Sequence, residues 1–226
     1  DDIRVFDRTL TQSEITHLAS SRGVEGPPPV GLGDEQLWWC PTHSQSLLAD
    51  SSPQGHSVVK VATAPALVAD TDEGGQYAGQ FAANGSVRVQ DQFQFMTTGD
   101  VSVSGWIKAA TADQVTICGQ QTGGLASNKS GVAVDQYLGE SRAKFFDGIN
   151  NDKLLLLGGN TPPNNTWYHV TATKDGTACK LFVNGVLLAS GTQLGIPSSP
   201  DYKDLLIGIT DSEGESSGVE ERWISV

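Results

Sequence analysis

The sequence predicts an all-β fold with a short strand–helix segment at its N-terminus. Of the 226 residues, 26 are Gly and only 18% are charged, a composition typical of a β-protein rich in turns. Stretches of alternating side chains recur along most of the chain, separated by Gly, Asn-Gly, Asp-Gly and Pro-Pro. Such punctuation indicates antiparallel strands joined by tight turns.

The N-terminal segment predicts one strand, one helix and a linker. Residues 1–6 alternate with the period of two that a strand requires. Thr11-Gln-Ser-Glu14 is a capping box, because the threonine hydroxyl can accept from the amide three residues on while the glutamate reaches back. We expect the helix to end at Gly23. The three prolines that follow predict an extended linker over residues 20–35.

From residue 37 onward the sequence predicts one continuous β-domain without a further helix. Asn184-Gly185 is the strongest turn, since both residues tolerate the positive φ of a tight hairpin. In residues 101–108, apolar side chains occupy one face, whereas Ser102, Ser104 and Trp106 occupy the other. This pattern predicts a sandwich whose second face meets a groove or a second layer. The predicted strands are 37–40, 58–62, 77–81, 86–90, 101–108, 114–119, 131–137, 142–147, 153–157, 166–173, 178–183, 186–190, 204–209 and 221–226.

Charge and hydropathy exclude several classes of partner. The net charge of -12 repels phosphate backbones and anionic lipid, so nucleic-acid binding is not expected. No apolar run approaches the roughly 18 residues of a membrane span, so membrane insertion is not expected. Any secretion signal is expected to have been removed or to lie outside this stretch.

The three cysteines allow two interpretations. Because their number is odd, at least one thiol has no partner within the chain. Either all three are buried small hydrophobic residues, or one disulfide forms and one thiol is left over. The residues concerned are Cys40, Cys118 and Cys179.

Several segments resemble laminin-G-like domains of the concanavalin A type. Residues 167–185 resemble the hallmark hairpin of that family, W-x-H-V-x-x-x-x-D-G-x-x-x-L-Y-V-N-G. The resemblance covers most of residues 37–226 and implies a two-sheet antiparallel jelly-roll sandwich. Residues 77–89 and 101–108 resemble two of its strands, and Leu37-Trp-Trp with residues 48–56 resembles its opening strand and D-S-S-G-x-G-H loop.

One segment of the family pattern stands at the opposite end of the chain. Residues 1–15 resemble x-I-D-D-V-R-I-Y-N-R-A-L-S-x-x-E-I, which usually closes such a domain. Residues 36–226 therefore form a jelly roll that lacks its closing strand, and residues 1–19 belong to a preceding domain of an array, to a neighbouring subunit or to the chain's own sheet. An unfilled sheet edge exposes unpaired amides and must be covered. The assembly residues are Ile3, Val5, Phe6, Trp223 and Ile224.

Catalysis is not expected. Glycosidases of this class carry closely spaced carboxylates resembling E-x-D-x-E, which act as acid and nucleophile. This chain has no such triplet, and its acidic residues over 213–221 are interrupted by Gly and Ser as in a solvated loop. The resemblance implies a structural role for His169. The sequence thus predicts a protein that is not an enzyme.

A calcium site is the metal site that the resemblance implies. Oxygen-rich loops beside the opening and closing strands often hold Ca²⁺ in this superfamily, and Ca²⁺ takes six to eight oxygen ligands. The candidate ligands are Asp50, Ser52 and either Asp1 or Asp2. The alternative is that Asp50 only caps an Asx turn.

The expected function is binding. Candidate ligand-binding residues lie at the rim of a sheet, although Asn and Asp are equally common in turns: Tyr137, Asp147, Asn150, Asn151 and Asp152. The resemblance implies a non-catalytic extracellular adhesion or carbohydrate-binding module, within a repeat array, whose partner is a glycan or a surface protein. The alternative is a structural subunit of a fibre, sheath or virion surface that donates strand 1–6 to neighbouring copies of itself. Either protein would be secreted or held on a cell or virion surface.

Overall fold

Two antiparallel sheets pack face to face in this protein. The computed structural model describes residues 2–20, 32–44, 46–62, 66–70, 76–81, 85–90, 93, 95–108, 115–119, 130–137, 140–147, 153–160, 163, 165–193 and 205–208. The strands are β1 Ile3–Phe6, β2 Leu37–Trp39, β3 Val58–Ala62, β4 Ala66–Asp70, β5 Gln76–Gln80, β6 Gly85–Val89, β7 Val101–Lys108, β8 Val115–Gly119, β9 Ser130–Tyr137, β10 Glu140–Asp147, β11 Lys153–Asn160, β12 Trp167–Asp175, β13 Ala178–Val183, β14 Val186–Thr192 and β15 Leu205–Ile207. The helices are α1 Gln12–Ser20, α2 Pro41–Ser44 and α3 Phe95–Thr98.

The sheet order confirms the predicted all-β, two-sheet antiparallel jelly-roll sandwich. The first sheet has the order β14-β13-β12-β7-β1-β2, and the second has the order β11-β10-β9-β8-β15-β6-β3. Strands β4 and β5 form a separate two-stranded ribbon. Strands far apart in sequence thus become neighbours, as for β1 between β2 and β7.

The hydrophobic core lies between the two sheets. Val101, Val103 and Ile107 of β7 are buried in it, and β9 contributes Val132 and Val134 from the opposite sheet. Burying one such side chain contributes about 1.5–3 kcal/mol. The core therefore holds the two sheets together.

The other face of β7 is covered by α1 and the residues before it. Ser102 Oγ accepts a hydrogen bond from the amide of Leu10 (2.9 Å), and Trp106 Nε1 donates to the carbonyl oxygen of Leu18 (3.2 Å). This confirms the second layer that the Ser/Trp face of the strand predicted. A separate apolar cluster fills the space beneath α1 and consists of Phe6, Leu10, Ile15, Leu18 and Phe182.

The predicted capping box and hairpin turn are both present. The amide of Thr11 donates to Glu14 Oε2 (2.7 Å), and the amide of Glu14 donates to Thr11 Oγ1 (3.3 Å). At the β13–β14 turn, Asn184 and Gly185 have φ values of 50° and 78°, as a tight hairpin requires. Gln12 Nε2 donates to the Gly185 carbonyl (2.7 Å), so the turn is fastened to α1.

Two short helices correct the expectation that no helix follows residue 20. Helix α2 begins at Pro41, whose fixed φ suits the first helical position, and the Ser44 amide donates to the Cys40 carbonyl (3.0 Å). A single turn carries too little periodicity for recognition in a sequence. Strand β4 was also not predicted, and the predicted strand 221–226 lies outside the described residues. None of the described helices is long and apolar enough to cross a membrane.

The end of the predicted linker is built into the fold. Glu35 is buried and accepts hydrogen bonds from the amides of Leu32 (2.6 Å) and Gly33 (2.9 Å). Residues 21–31 of the linker lie outside the described residues. Two of the three cysteines, Cys40 and Cys179, are buried.

Candidate functional site

The displaced N-terminal strand lies inside the sheet of its own chain. Ile3 is paired with Trp39 of β2, and Val5 is paired with Val103 of β7. In this single chain β1 pairs with β2 and β7, and the choice among the three arrangements that the sequence leaves open stays a prediction. Ile3 and Val5 enter the main core, whereas Phe6 lies beneath α1. Trp223 and Ile224 lie outside the described residues.

A buried ionic cluster fixes β1 on the side of the sheet away from the core. We call Asp2, Arg4, Glu35 and Trp38 the Arg4 cluster. Arg4 Nε and Nη2 donate to the two carboxylate oxygens of Asp2 (2.9 and 3.1 Å), and Nη1 donates to Glu35 Oε1 (3.0 Å). The guanidinium lies 4.6 Å from the centre of the Trp38 ring, whose Nε1 donates to Asp2 Oδ1 (2.6 Å). The bidentate geometry makes these strong, charge-assisted contacts.

His169 is a buried neutral residue next to this cluster. Its Nε2 lies 2.8 Å from Ser104 Oγ, and its ring meets that of Trp106 edge-on at 5.2 Å. The pKa of His169 is lowered to about 4, chiefly because burial disfavours the charged ring; the charge of Asp2 opposes this shift, and the charge of Arg4 adds to it. A side chain only 2% exposed does not reach a substrate, so the geometry suits a structural role.

Asp50 organises the loop after α2 through four hydrogen bonds. Its Oδ1 accepts from the amides of Trp38 (3.0 Å) and Ser52 (2.8 Å). Its Oδ2 accepts from the Ser52 hydroxyl (2.8 Å) and the His56 amide (2.8 Å). These contacts are those of the Asx turn that was the alternative to a metal site.

The residues expected to bind calcium do not fit that ion in their present hydrogen bonding. Donor hydrogens already point at both oxygens of Asp50 and of Asp2, whereas Ca²⁺ requires six to eight free oxygen ligands. Among the described residues, no group of three or more His, Cys, Asp or Glu side chains is arranged to hold a metal. Asp1 lies outside the described part of the chain. The calcium site stays a prediction.

The expected ligand-binding residues are distributed over two ends of the second sheet. Tyr137 ends β9 and is paired with Glu140, whereas Asp147 ends β10 and is paired with Ser130. Strand β10 has eight residues, and a strand of this length spans roughly 25 Å. One small ligand therefore does not contact both Tyr137 and Asp147. Asn150, Asn151 and Asp152 lie outside the described residues.

Exposed apolar side chains, which the sequence did not indicate, lie on two strands that each end one sheet among the described strands. The two strands are β14 and β11, and a Cβ added to Gly158 of β11 would lie 3.4 Å from Leu188 Cδ1 of β14. The exposed side chains are Leu155, Leu157, Val186, Leu187 and Leu188, which are 38%, 47%, 60%, 46% and 42% exposed. The alternation of residues predicts the strands but not which of them lie at an edge.

The sandwich resembles solved binding domains of botulinum neurotoxins. The binding domain of serotype C1 has a TM-score of 0.53 and 14% identity, over 75% of this chain and 42% of that one. The binding domain of neurotoxin DC, solved in complex with rat synaptotagmin II, has a TM-score of 0.53 and 14% identity, over 71% and 40%. A type C structure, described with cell entry dependent on interaction with two ganglioside molecules, has a TM-score of 0.52 and 14% identity, over 75% and 42%. The chain thus spans about two-fifths of these proteins, and the likeness shows the fold.

The family follows from a sequence match. No curated protein sequence matches the chain. A family model described as "Concanavalin A-like lectin/glucanases superfamily" matches residues 81–218, which is more than half of the chain and includes strands of both sheets. The chain therefore belongs to the concanavalin A-like lectin/glucanase superfamily, as its laminin-G-like hairpin indicated.

Proposed function

We propose that the chain is a non-catalytic binding module that recognises a glycan or a protein on an extracellular surface. The observation that carries this proposal is the sandwich itself, since similar structures are binding domains. One of them was solved with rat synaptotagmin II, and another is described with two ganglioside molecules. A secreted or surface location accords with such partners.

The structural use of four described carboxylates favours binding over catalysis. Glycoside hydrolysis needs two carboxyl groups about 5–9.5 Å apart that face the substrate. Asp2 and Glu35 are instead paired with Arg4, Glu14 caps α1, and Asp50 holds its own loop. These groups stabilise the fold.

The proposed glycan site lies at the end of the second sheet where β10 leads towards β11. Asp147 ends β10, and Asn150, Asn151 and Asp152 precede β11 in the sequence. Carboxylate and amide groups hydrogen-bond readily to sugar hydroxyls. Tyr137 lies at the other end of the sheet, where it is paired with Glu140, so it would contact a separate ligand.

A glycan array followed by titration calorimetry tests this proposal. We expect one glycan class to bind the full chain, with binding lost in Asp147→Ala and retained in Asp175→Ala, which changes an exposed aspartate at the end of β12. Repeating the titration with EDTA tests the predicted calcium. Hydrolysis of a β-glucan by the full chain would contradict a non-catalytic role, and unchanged binding by Asp147→Ala would move the site elsewhere.

A second candidate function is that of a structural subunit that donates strand 1–6 to its neighbour. The supporting observation is that β1 pairs only with strands distant in sequence, β2 and β7. A neighbouring copy can offer the same two strands, and exchange of identical elements is a common route to assemblies. Removal of the segment, described below, tests this candidate.

A further inference from the structure

We propose that Asn184-Gly185 is a site of deamidation and that helix α1 controls the reaction. The two residues form the turn between β13 and β14, with φ values of 50° and 78°. Asparagine deamidates fastest when glycine follows it, because glycine has no side chain to hinder attack by its own nitrogen. The proposal concerns a modification of the chain and is independent of glycan binding.

The reaction needs water as its co-reactant and involves no oxidation or reduction. The Gly185 nitrogen attacks Asn184 Cγ, the bond between Cγ and Nδ2 breaks, and ammonia leaves with the proton that the Gly185 nitrogen has lost. Water then opens the succinimide ring. Breaking the new bond at Cγ gives aspartate, whereas breaking the original peptide bond gives isoaspartate, in which the side-chain CH₂ group has become part of the backbone.

The folded turn holds Asn184 away from this reaction. Asn184 Oδ1 accepts a hydrogen bond from the amide of His169 (2.9 Å), and the Asn184 amide donates to the His169 carbonyl oxygen (2.8 Å). Attack requires Cγ to turn towards the Gly185 nitrogen, whereas the first of these bonds fastens the side chain to β12. Because β12 lies between β13 and β7, His169 does not move with the turn. Deamidation therefore requires the turn to open.

Helix α1 holds the glycine of the same turn. Gln12 Nε2 donates to the Gly185 carbonyl oxygen (2.7 Å). A Cβ added to Gly185 would lie 3.5 Å from Thr16 Cα and 3.5 Å from Ala19 Cβ, so the helix packs directly against the glycine. Proteins open locally at a lower free energy than they unfold globally. Release of α1 is thus the local opening that frees the turn for attack.

Isoaspartate at position 184 would hinder α1 from binding again. A tight hairpin turn depends on a fixed backbone length and on positive φ at both of its residues. Isoaspartate lengthens this backbone by one CH₂ group, so the turn can no longer keep the bonds with His169 and the bond from Gln12 together. Because ammonia has been lost, the change does not reverse. One release of α1 would therefore weaken its contact with the turn permanently.

Peptide mapping by mass spectrometry, during incubation of the full chain at mildly alkaline pH, tests the proposal. We expect Asn184 to deamidate about fivefold faster in Gln12→Ala, the change in an opening equilibrium that corresponds to about 1 kcal/mol for one hydrogen bond. Asn84-Gly85 is the other Asn-Gly of the sequence, and it should react equally fast in both chains. The matched control is Gln90→Ala, which changes an exposed glutamine after β6.

Two further measurements complete the test. Hydrogen exchange should show faster exchange of residues 12–20 in the chain that carries isoaspartate at position 184 than in the fresh chain. If Gln12→Ala fails to fold by circular dichroism, Gln12→Glu replaces it. An acidic residue suits the first turn of a helix, but its carboxylate does not donate to the Gly185 carbonyl oxygen.

Two results would overturn the proposal. Equal rates at Asn184 in Gln12→Ala and in the unmodified chain would mean that α1 does not control the turn. A rate at Asn184 that is as high in the folded chain as in urea would mean that the bonds with His169 give no protection. Glycan binding is measured on the fresh chain, so failure here is distinguishable from failure of the proposed function.

Discussion

Two arginines of the N-terminal segment make the same kind of ion pair in opposite surroundings. Arg4 is paired with Glu35, and both side chains are 1% exposed. Arg8 is paired with Asp34, the residue just before Glu35 in the sequence, and these side chains are 34% and 45% exposed. Arg8 also bonds Glu14 (2.8 Å). Both arginines thus join the N-terminal segment to the end of the predicted linker.

The difference teaches that the surroundings decide what an ion pair contributes. Removing one partner of a buried pair leaves an uncompensated charge and costs about 3–5 kcal/mol. An exposed pair contributes about 0–1 kcal/mol, because water screens its charges. We therefore expect Arg4 to be essential for the fold and Arg8 to be nearly dispensable.

Deleting residues 1–20 removes both arginines and has the largest expected effect. The deletion also removes β1, which lies between β2 and β7, and opens the core. We expect a chain that unfolds or aggregates, measured by thermal unfolding and by light scattering behind a sizing column. A full-length oligomer that the deletion converts to a stable monomer would instead favour strand donation. Unchanged size and stability would assign residues 1–19 to a preceding domain.

The variant Arg4→Ala, compared with Arg8→Ala, distinguishes the contribution of the buried ion pair from that of the exposed one. We expect a loss of about 3–5 kcal/mol in the free energy of unfolding, since Asp2 and Glu35 stay buried without a cation. The matched control is Arg8→Ala, for which we expect a loss of at most about 1 kcal/mol. Urea denaturation of both variants measures the difference. Equal losses in the two variants would show that burial does not set the contribution of an ion pair in this protein.

Part of this architecture could be predicted from the sequence because its signals are local. The capping box joins Thr11 to Glu14, and the turn at Asn184-Gly185 depends on two adjacent residues. The pair of Arg4 and Glu35 could not be predicted, because 31 positions separate them and only the sheet brings them together. Likewise, the sequence of β14 does not say that this strand ends the first sheet among the described strands. For Asp50, a calcium ligand and an Asx cap require the same residue type, so only the geometry of its donors distinguishes them.

The pH dependence of stability extends the comparison to His169, the neutral neighbour of Arg4. Its pKa falls from 6.5 unfolded to about 4 folded, so below pH 6.5 the unfolded chain binds the proton and the folded chain does not. We expect the free energy of unfolding to fall by about 3 kcal/mol between pH 6.5 and 4. His169→Gln should flatten this slope, although it lowers stability at neutral pH. Urea denaturation at a series of pH values measures the slope, and the exposed His17→Gln is the control. If His169→Gln showed the same slope as the unmodified chain, the pH dependence of stability would be assigned to the carboxylates.

The smallest expected effect concerns the exposed pair of Arg8 and Glu14. The hydrogen bonds from Arg8, followed by those from Thr11, lower the pKa of Glu14 from 4.5 to about 2. A carboxylate with a lowered pKa stabilises the fold above pH 4.5 and loses this contribution as the pH falls towards 2. Because Glu14 is 25% exposed and Arg8 34% exposed, we expect Glu14→Gln to cost at most about 1 kcal/mol at pH 7.

Exposed charges are screened within about 3 Å at 1 M salt, so the difference between Glu14→Gln and the unmodified chain should shrink in 1 M NaCl. The cost of Arg4→Ala should stay the same there, because salt does not enter the buried cluster. A salt response of equal size in both variants would mean that water reaches Arg4 as freely as it reaches Arg8.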